Sequence, residues 1–233
     1  MRRSIYLALG GLALAAQAAA AQGACDDIQR FFQQPPKLGE WADVRMDMQK
    51  DEGKKPVLMR VAFVDKEERG GEQMYRMQMT MTHKDGKKQI MQVLTPWGPK
   101  ALERDYDTEM VMKMGDQPAM IMPFKTGQKN PGMSDVRKEC AKLSFVGEES
   151  VTVPAGTFKT RHYAGPDGES WVSPDVPGWR MVKMVTKQGD TMVLTATGRG
   201  AQNEITEKPV DMKAMMGGGA MKRMMEGDKG QDK

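Results

Sequence analysis

Tyr75-Arg76-Met77-Gln78-Met79-Thr80-Met81-Thr82 changes from apolar to polar at every step, placing Tyr75, Met77, Met79 and Met81 on one side of the chain. A period of two is the mark of a strand with one buried face; a helix would repeat its apolar residues every three or four positions. Working outward, Val57, Met59, Val61 and Phe63 form the preceding apolar face, which the charged run Lys66-Glu67-Glu68-Arg69 and Gly70-Gly71 brings to an end. Before that, Val44, Met46 and Met48 alternate with Arg45, Asp47 and Gln49, and Asp51-Glu52-Gly53 turns the chain. After it, Asp85-Gly86 is a strong hairpin signal and residues 90–94 return as a strand broken at Pro96 and Pro99.

The same rhythm continues. Met110, Met112 and Met114 alternate, Gly115-Asp116-Gln117-Pro118 turns, and residues 120–124 come back; residues 125–139 lack periodicity and read as a long surface loop. Further strands are expected over 143–153, 157–163, 170–172, 179–186 and 191–197, the last two joined through Gly189-Asp190. Only residues 26–34 suggest a helix, capped by Asp26, presenting Ile28, Phe31 and Phe32, and stopped by Pro35-Pro36. About ten strands with so little helix predict a mainly β fold, a large curved antiparallel sheet.

The chain begins Arg2-Arg3, continues with an uncharged run to Ala20 and reaches small residues at Ala18-Ala19-Ala20-Ala21. Those are the parts of a signal peptide over residues 1–21, with cleavage near Ala21, and the apolar run is too short and too rich in glycine for a membrane span. Arg2-Arg3-Ser4-Ile5-Tyr6 also carries the bare twin-arginine pattern, although paired arginines open many ordinary signal peptides. Gly23-Ala24-Cys25 approaches a lipoprotein processing site, with Gln22 where such sites carry Leu or a similar apolar residue. A periplasmic protein follows, with one β-rich domain over 22–209 and a Met-, Lys- and Gly-rich disordered tail over 210–233.

Cleavage removes Arg2 and Arg3 and no acidic residue, so the formal charge falls from +4 to +2, which gives no reason to expect nucleic acid. Two cysteines in an oxidising compartment predict a single bridge between Cys25 and Cys140.

At Val153-Pro154-Ala155-Gly156-Thr157-Phe158, Trp171-Val172-Ser173-Pro174 and Val176-Pro177-Gly178, the sequence resembles a group of exported bacterial proteins of unknown function, themselves similar to periplasmic lipoprotein carriers with a half-barrel fold. The resemblance is clearest over 145–206. It implies a half-barrel whose concave face holds acyl chains or other apolar matter, although the chain has almost no helical sequence for the lid of a carrier. The residues themselves read as a sharp strand corner, since Pro154 donates no hydrogen bond and Gly156 permits a positive φ.

Methionine dominates the apolar composition: 24 in the whole chain, against ten Leu plus Ile after residue 21. Met is flexible and polarisable, suited both to irregular cores and to surfaces that accept varied apolar partners. Met77, Met79, Met81, Met110, Met112 and Met114 are therefore the candidate lining of a concave face that binds an apolar ligand, lipid or a lipoprotein segment. The alternative is Cu(I), for which Met77-x-Met79-x-Met81-x-His83 would offer three thioethers and an imidazole on one strand face. Two histidines, His83 and His162, and the lack of a nucleophile elbow, a phosphate-binding loop or a His-Glu-x-x-His pair give no catalytic constellation, so a non-enzymatic protein without cofactor is expected.

Overall fold

The computed structural model describes residues 23–49, 56–82, 86–98, 109–122 and 138–211, apart from Ile28 and Phe32. The expected signal peptide, the expected turn at 51–53, His83, most of the 125–139 segment and the residues beyond Asp211 lie outside the described residues. Within them are twelve strands: β1 Trp41–Asp47, β2 Val57–Arg69, β3 Glu72–Thr82, β4 Lys88–Pro96, β5 Met110–Met114, β6 Met120–Met122, β7 Ser144–Val153, β8 Gly156–Gly165, β9 Gly168–Val172, β10 Met181–Thr186, β11 Thr191–Gly198 and β12 Val210–Asp211. They form one open sheet in the order β12-β6-β5-β4-β3-β2-β1-β11-β10-β9-β8-β7. Neighbours are antiparallel except β12, which runs parallel to β6, so Val210 and Asp211, expected to begin the tail, instead extend the sheet at its edge.

The sheet is curved. Six strands separate β3 from β7, yet Met79 of β3 and Val153 of β7 share one core with Val44, Val61, Trp171, Val182 and Leu194. Bulges between Asp43 and Val44, Phe63 and Asp65, Phe145 and Gly147, and Met181 and Lys183 add the local bend that such curling needs. The Pro154-Ala155 corner is a tight hairpin between Val153 and Gly156, whose φ is +132°. Among the described residues no helix is long and apolar enough to cross a membrane.

Two expectations need correction. The strand expected to end after Phe63 runs on to Arg69. Its charged residues are held in register with β3, Lys66 opposite Tyr75 and Glu67 opposite Met74, and Glu67 pairs with Arg69 at 2.7 Å and Arg76 at 3.3 Å. Gly70 and Gly71, with φ of +63° and +78°, make the two-residue turn whose twist matches the flanking strands.

The second correction concerns the polar side of β3. Gln78 and Thr80 are buried, as are Gln92 and Leu94 on the same face of β4. What covers them is the segment 199–209, which crosses this face between β11 and β12. Gln92 donates to Asn203 at 2.6 Å and to Gln78 at 2.9 Å; Gln78 and Thr80 both donate to Glu204, at 3.0 and 2.9 Å. Ile205 packs with Ile90, Val111 and Ala119 in a second, smaller core, and Lys113 meets Glu207 at 2.6 Å.

Glu204 gives this strap a pH dependence. Burial tends to raise its pKa, but hydrogen bonds from Lys88 and Thr80 and the charges of Lys88 and Arg60 outweigh that and hold it below the usual carboxylate range. A carboxyl depressed in the folded state stabilises above its unfolded pKa, and that contribution is lost as pH falls through the folded value. Thermal unfolding of the parent should therefore lose stability on acidification below about pH 4.5, and Glu204→Gln should flatten that part of the profile. An unchanged slope in the variant would remove Glu204 from the account.

Candidate functional site

The strand register brings the six candidate methionines together. Met79 stands opposite Met91 of β4, Met91 opposite Met112 of β5, and Met112 opposite Met120 of β6. On one side of that row Met77, Val93, Met110 and Met122 are in register; on the other are Met59, Met81, Gln89 and Met114. Met77, Met79, Met81, Met110, Met112 and Met114 thus share one face, because β4 places Met91 and Val93 between the two triplets.

They differ in burial. Met79 is 6% exposed inside the main core, and Met77 and Met81 pack against it. The Trp179 indole N–H donates to the Met77 sulfur at 3.0 Å. Met110 and Met112 are half-buried and Met114 is 46% exposed, and neither core of the described residues includes them. Among the described residues the face is buried at β3 and only half-buried at β5 and β6, where Met114 is exposed.

A cavity of about 540 Å³ lies elsewhere, between the N-terminal helical residues and the sheet from β8 to β10. Residues 23–27, 29–31 and 33 are helical, so the helix begins earlier than an Asp26 cap would have it. It is fastened at both ends. Cys25 is bridged to Cys140 just ahead of β7, across a sequence separation of 115. At the other end Phe31 packs edge-on against Trp97, centroids 5.0 Å apart, and Trp97 against Phe63 and Tyr75 at 5.3 and 6.1 Å.

The apolar lining comes from Ala24 and Phe31 of the helix, Leu143, Val172, Trp179 and Met181. One polar group on the wall is internally satisfied. Asp27 pairs with Arg161 at 2.7 Å and Arg30 at 3.2 Å and accepts the Tyr163 hydroxyl, while Arg161 also donates to Tyr163 at 3.0 Å and meets Glu148 at 3.4 Å. Burial, followed by the bond to Asp27, pushes the Tyr163 pKa up to about 12, so its hydroxyl stays a neutral donor.

Arg180 differs. Its guanidinium lies 4.9 Å from the centre of the Phe31 ring and donates to Gln34 Oε1 at 2.8 Å, and among the described residues no carboxylate meets it. Burial lowers its pKa, the expected effect of withdrawing a cation from water without a counter-charge. Arg180 also has a φ of +55°, a left-handed conformation that side chains other than glycine rarely adopt.

Sequence reasoning missed this cavity. Its residues are scattered over 24–34, 143, 161–163 and 170–181 and share no period. The available signals were Trp179-Arg180 directly after Val176-Pro177-Gly178, and the apolar Phe31 in a segment tied by a cysteine.

Among the described residues no group of three or more His, Cys, Asp or Glu side chains is placed to hold a metal ion. No protein-family model matches the chain, and no curated protein matches it in sequence. Among solved structures, a candidate exported protein of Bacteroides fragilis with a YmcC-like fold is 16% identical over 72% of this chain and 99% of its own, with a TM-score of 0.40. A candidate lipoprotein of Parabacteroides distasonis is 15% identical over 72% and 98%, with a TM-score of 0.35. MucB of Pseudomonas aeruginosa, in its complex with MucA, is 14% identical over 78% of this chain and 58% of its own, with a TM-score of 0.32. Similarity at this level carries no inference about ligand or partner, and the functional reading rests on the residues of this chain.

Proposed function

We propose that this protein is an exported, periplasmic, non-enzymatic binding protein for an apolar ligand such as lipid or a lipoprotein segment. The observation that carries the reading is the cavity of about 540 Å³, within the range of small-molecule sites and lined largely by Ala24, Phe31, Leu143, Val172, Trp179 and Met181. The start of the sequence supports export, and the Cys25–Cys140 bridge is consistent with an oxidising compartment. The Met-rich face is a separate apolar surface, which the test below distinguishes from the cavity.

Binding of the neutral fluorophore N-phenyl-1-naphthylamine tests the reading and locates the site. The parent should show saturable enhancement. Val172→Trp, which fills the cavity, should abolish it with the far-UV spectrum unchanged, while combined serine replacement of Met110, Met112 and Met114 should leave it largely intact. The reverse pattern would move the site to the open Met-rich face, and no saturable binding in the parent would overturn the proposal.

A second reading, Cu(I) binding, is favoured by the in-register row of Met79, Met91, Met112 and Met120, since thioethers are soft donors and directly opposed side chains start about 5 Å apart. Titration against a competing Cu(I) chelator tests it. Affinity lost on changing Met91 and Met112 to Leu supports copper, and none in the parent eliminates it.

A further inference from the structure

The cavity is charged as well as apolar, and its charge is unbalanced: Arg30, Arg161 and Arg180 line it against the single carboxylate of Asp27. Asp27 is committed to Arg161 and Arg30, and Arg161 has Glu148 and Tyr163 besides. The uncompensated charge is therefore that of Arg180. A guanidinium offers five N–H donors, and among the described residues only Gln34 accepts from this one.

Arg180 is half-buried, so part of its hydration is lost without a counter-charge, and its backbone φ of +55° is one that side chains other than glycine rarely adopt. Its contacts with Phe31 and Gln34 tie the helix to the sheet, but they supply no counter-charge. The ring of Phe31 on one side and Gln34 at one nitrogen hold the guanidinium in place, which leaves its remaining donors preorganised beside apolar walls.

We infer that the cavity takes a single-chain amphiphile with an anionic head, a carboxylate or a phosphate, whose apolar chain lies along Phe31, Val172, Trp179 and Met181 and whose head pairs with Arg180. The inference rests on the apolar-ligand reading and specifies the class of ligand. Arg is the cation suited to this role, because its planar fork meets two oxygens of a carboxylate or phosphate at once.

Isothermal titration with dodecanoate, dodecyl phosphate and dodecanol tests the inference at about pH 8, where the carboxylate is ionised. The three probes share a chain and differ in the head. The parent should bind at least one anionic probe about tenfold or more tighter than dodecanol, the effect of a hydrogen bond to a charged group, and added salt should narrow the difference. The ranking of carboxylate against phosphate identifies the head. Arg180→Gln should bring the three affinities together while leaving dodecanol binding in place.

Equal affinities in the parent would overturn the role of Arg180 and leave the apolar-ligand reading standing, whereas failure of all three to bind would overturn both. A preference that survives in a folded Arg180→Gln would assign the head to another group and so refute the inference. If that variant does not fold, the parent's preference together with its loss in Arg180→Ala or its retention in Arg180→Lys decides the matter.

Discussion

Replacing Cys25 and Cys140 with serine is expected to cost about 4 to 5 kcal/mol of stability, the loop-entropy value for a bridge that spans a hundred residues or more. The separation here is 115 residues, most of the folded chain, so the reduced unfolded state regains a large share of its freedom. The effect on the site should be larger than the effect on the sheet. Twelve strands remain hydrogen-bonded to one another, whereas the helical residues 23–27, 29–31 and 33 lose their covalent attachment beside β7. Denaturation with and without reductant, and fluorophore binding by the serine variant below its transition, measure the two effects. A loss below about 1 kcal/mol would mean that the unfolded chain is already compact around these segments.

Phe63→Ala is expected to cost about 3 to 5 kcal/mol, the range for a phenyl ring removed from a tight core. Phe63 is 1% exposed and meets Tyr75 and Trp97 edge-on, so its removal leaves a cavity that the sheet cannot readily collapse into. It also removes the support beneath Trp97, on which Phe31 rests. Combining Phe63→Ala with Phe31→Ala should therefore give a change that differs from the sum of the two by more than about 0.5 kcal/mol. Urea unfolding of the four proteins of that cycle checks both numbers. Strict additivity would show that the aromatic column does not link helix to sheet, and a single-variant loss under about 1.5 kcal/mol would show that the site repacks.

Much of the architecture was legible because it depends on neighbours in the chain. Alternation around Met77, Met79 and Met81 marked β3, and the Gly115, Gly156 and Gly189 turns separated strands that pair with the next in line. The bridge was legible because two cysteines leave one pairing. The full length of β2 was not, since Lys66-Glu67-Glu68-Arg69 looks like a solvated turn until Arg76 and Glu109 are brought beside it.

The candidate site divides in the same way. Period two correctly placed Met77, Met79 and Met81 on one side of β3, and Met110, Met112 and Met114 on one side of β5. Only the pairing of β3 with β4 and of β4 with β5 made them a single face. Whether a face is open or covered is decided by segments far away in sequence: Glu204 and Asn203 bury Gln78 and Gln92 from more than a hundred residues downstream. The cavity exists because a helix at the start of the described chain is fastened over β8 to β10, bringing Phe31 and Gln34 to Arg180. The sequence by itself determined the strands, their facing and the bridge, because those follow from local periodicity and a count of two cysteines. The tertiary structure alone decided what covers each face and where an unpaired charge meets apolar walls, because burial is a property of the surfaces that long-range packing brings together.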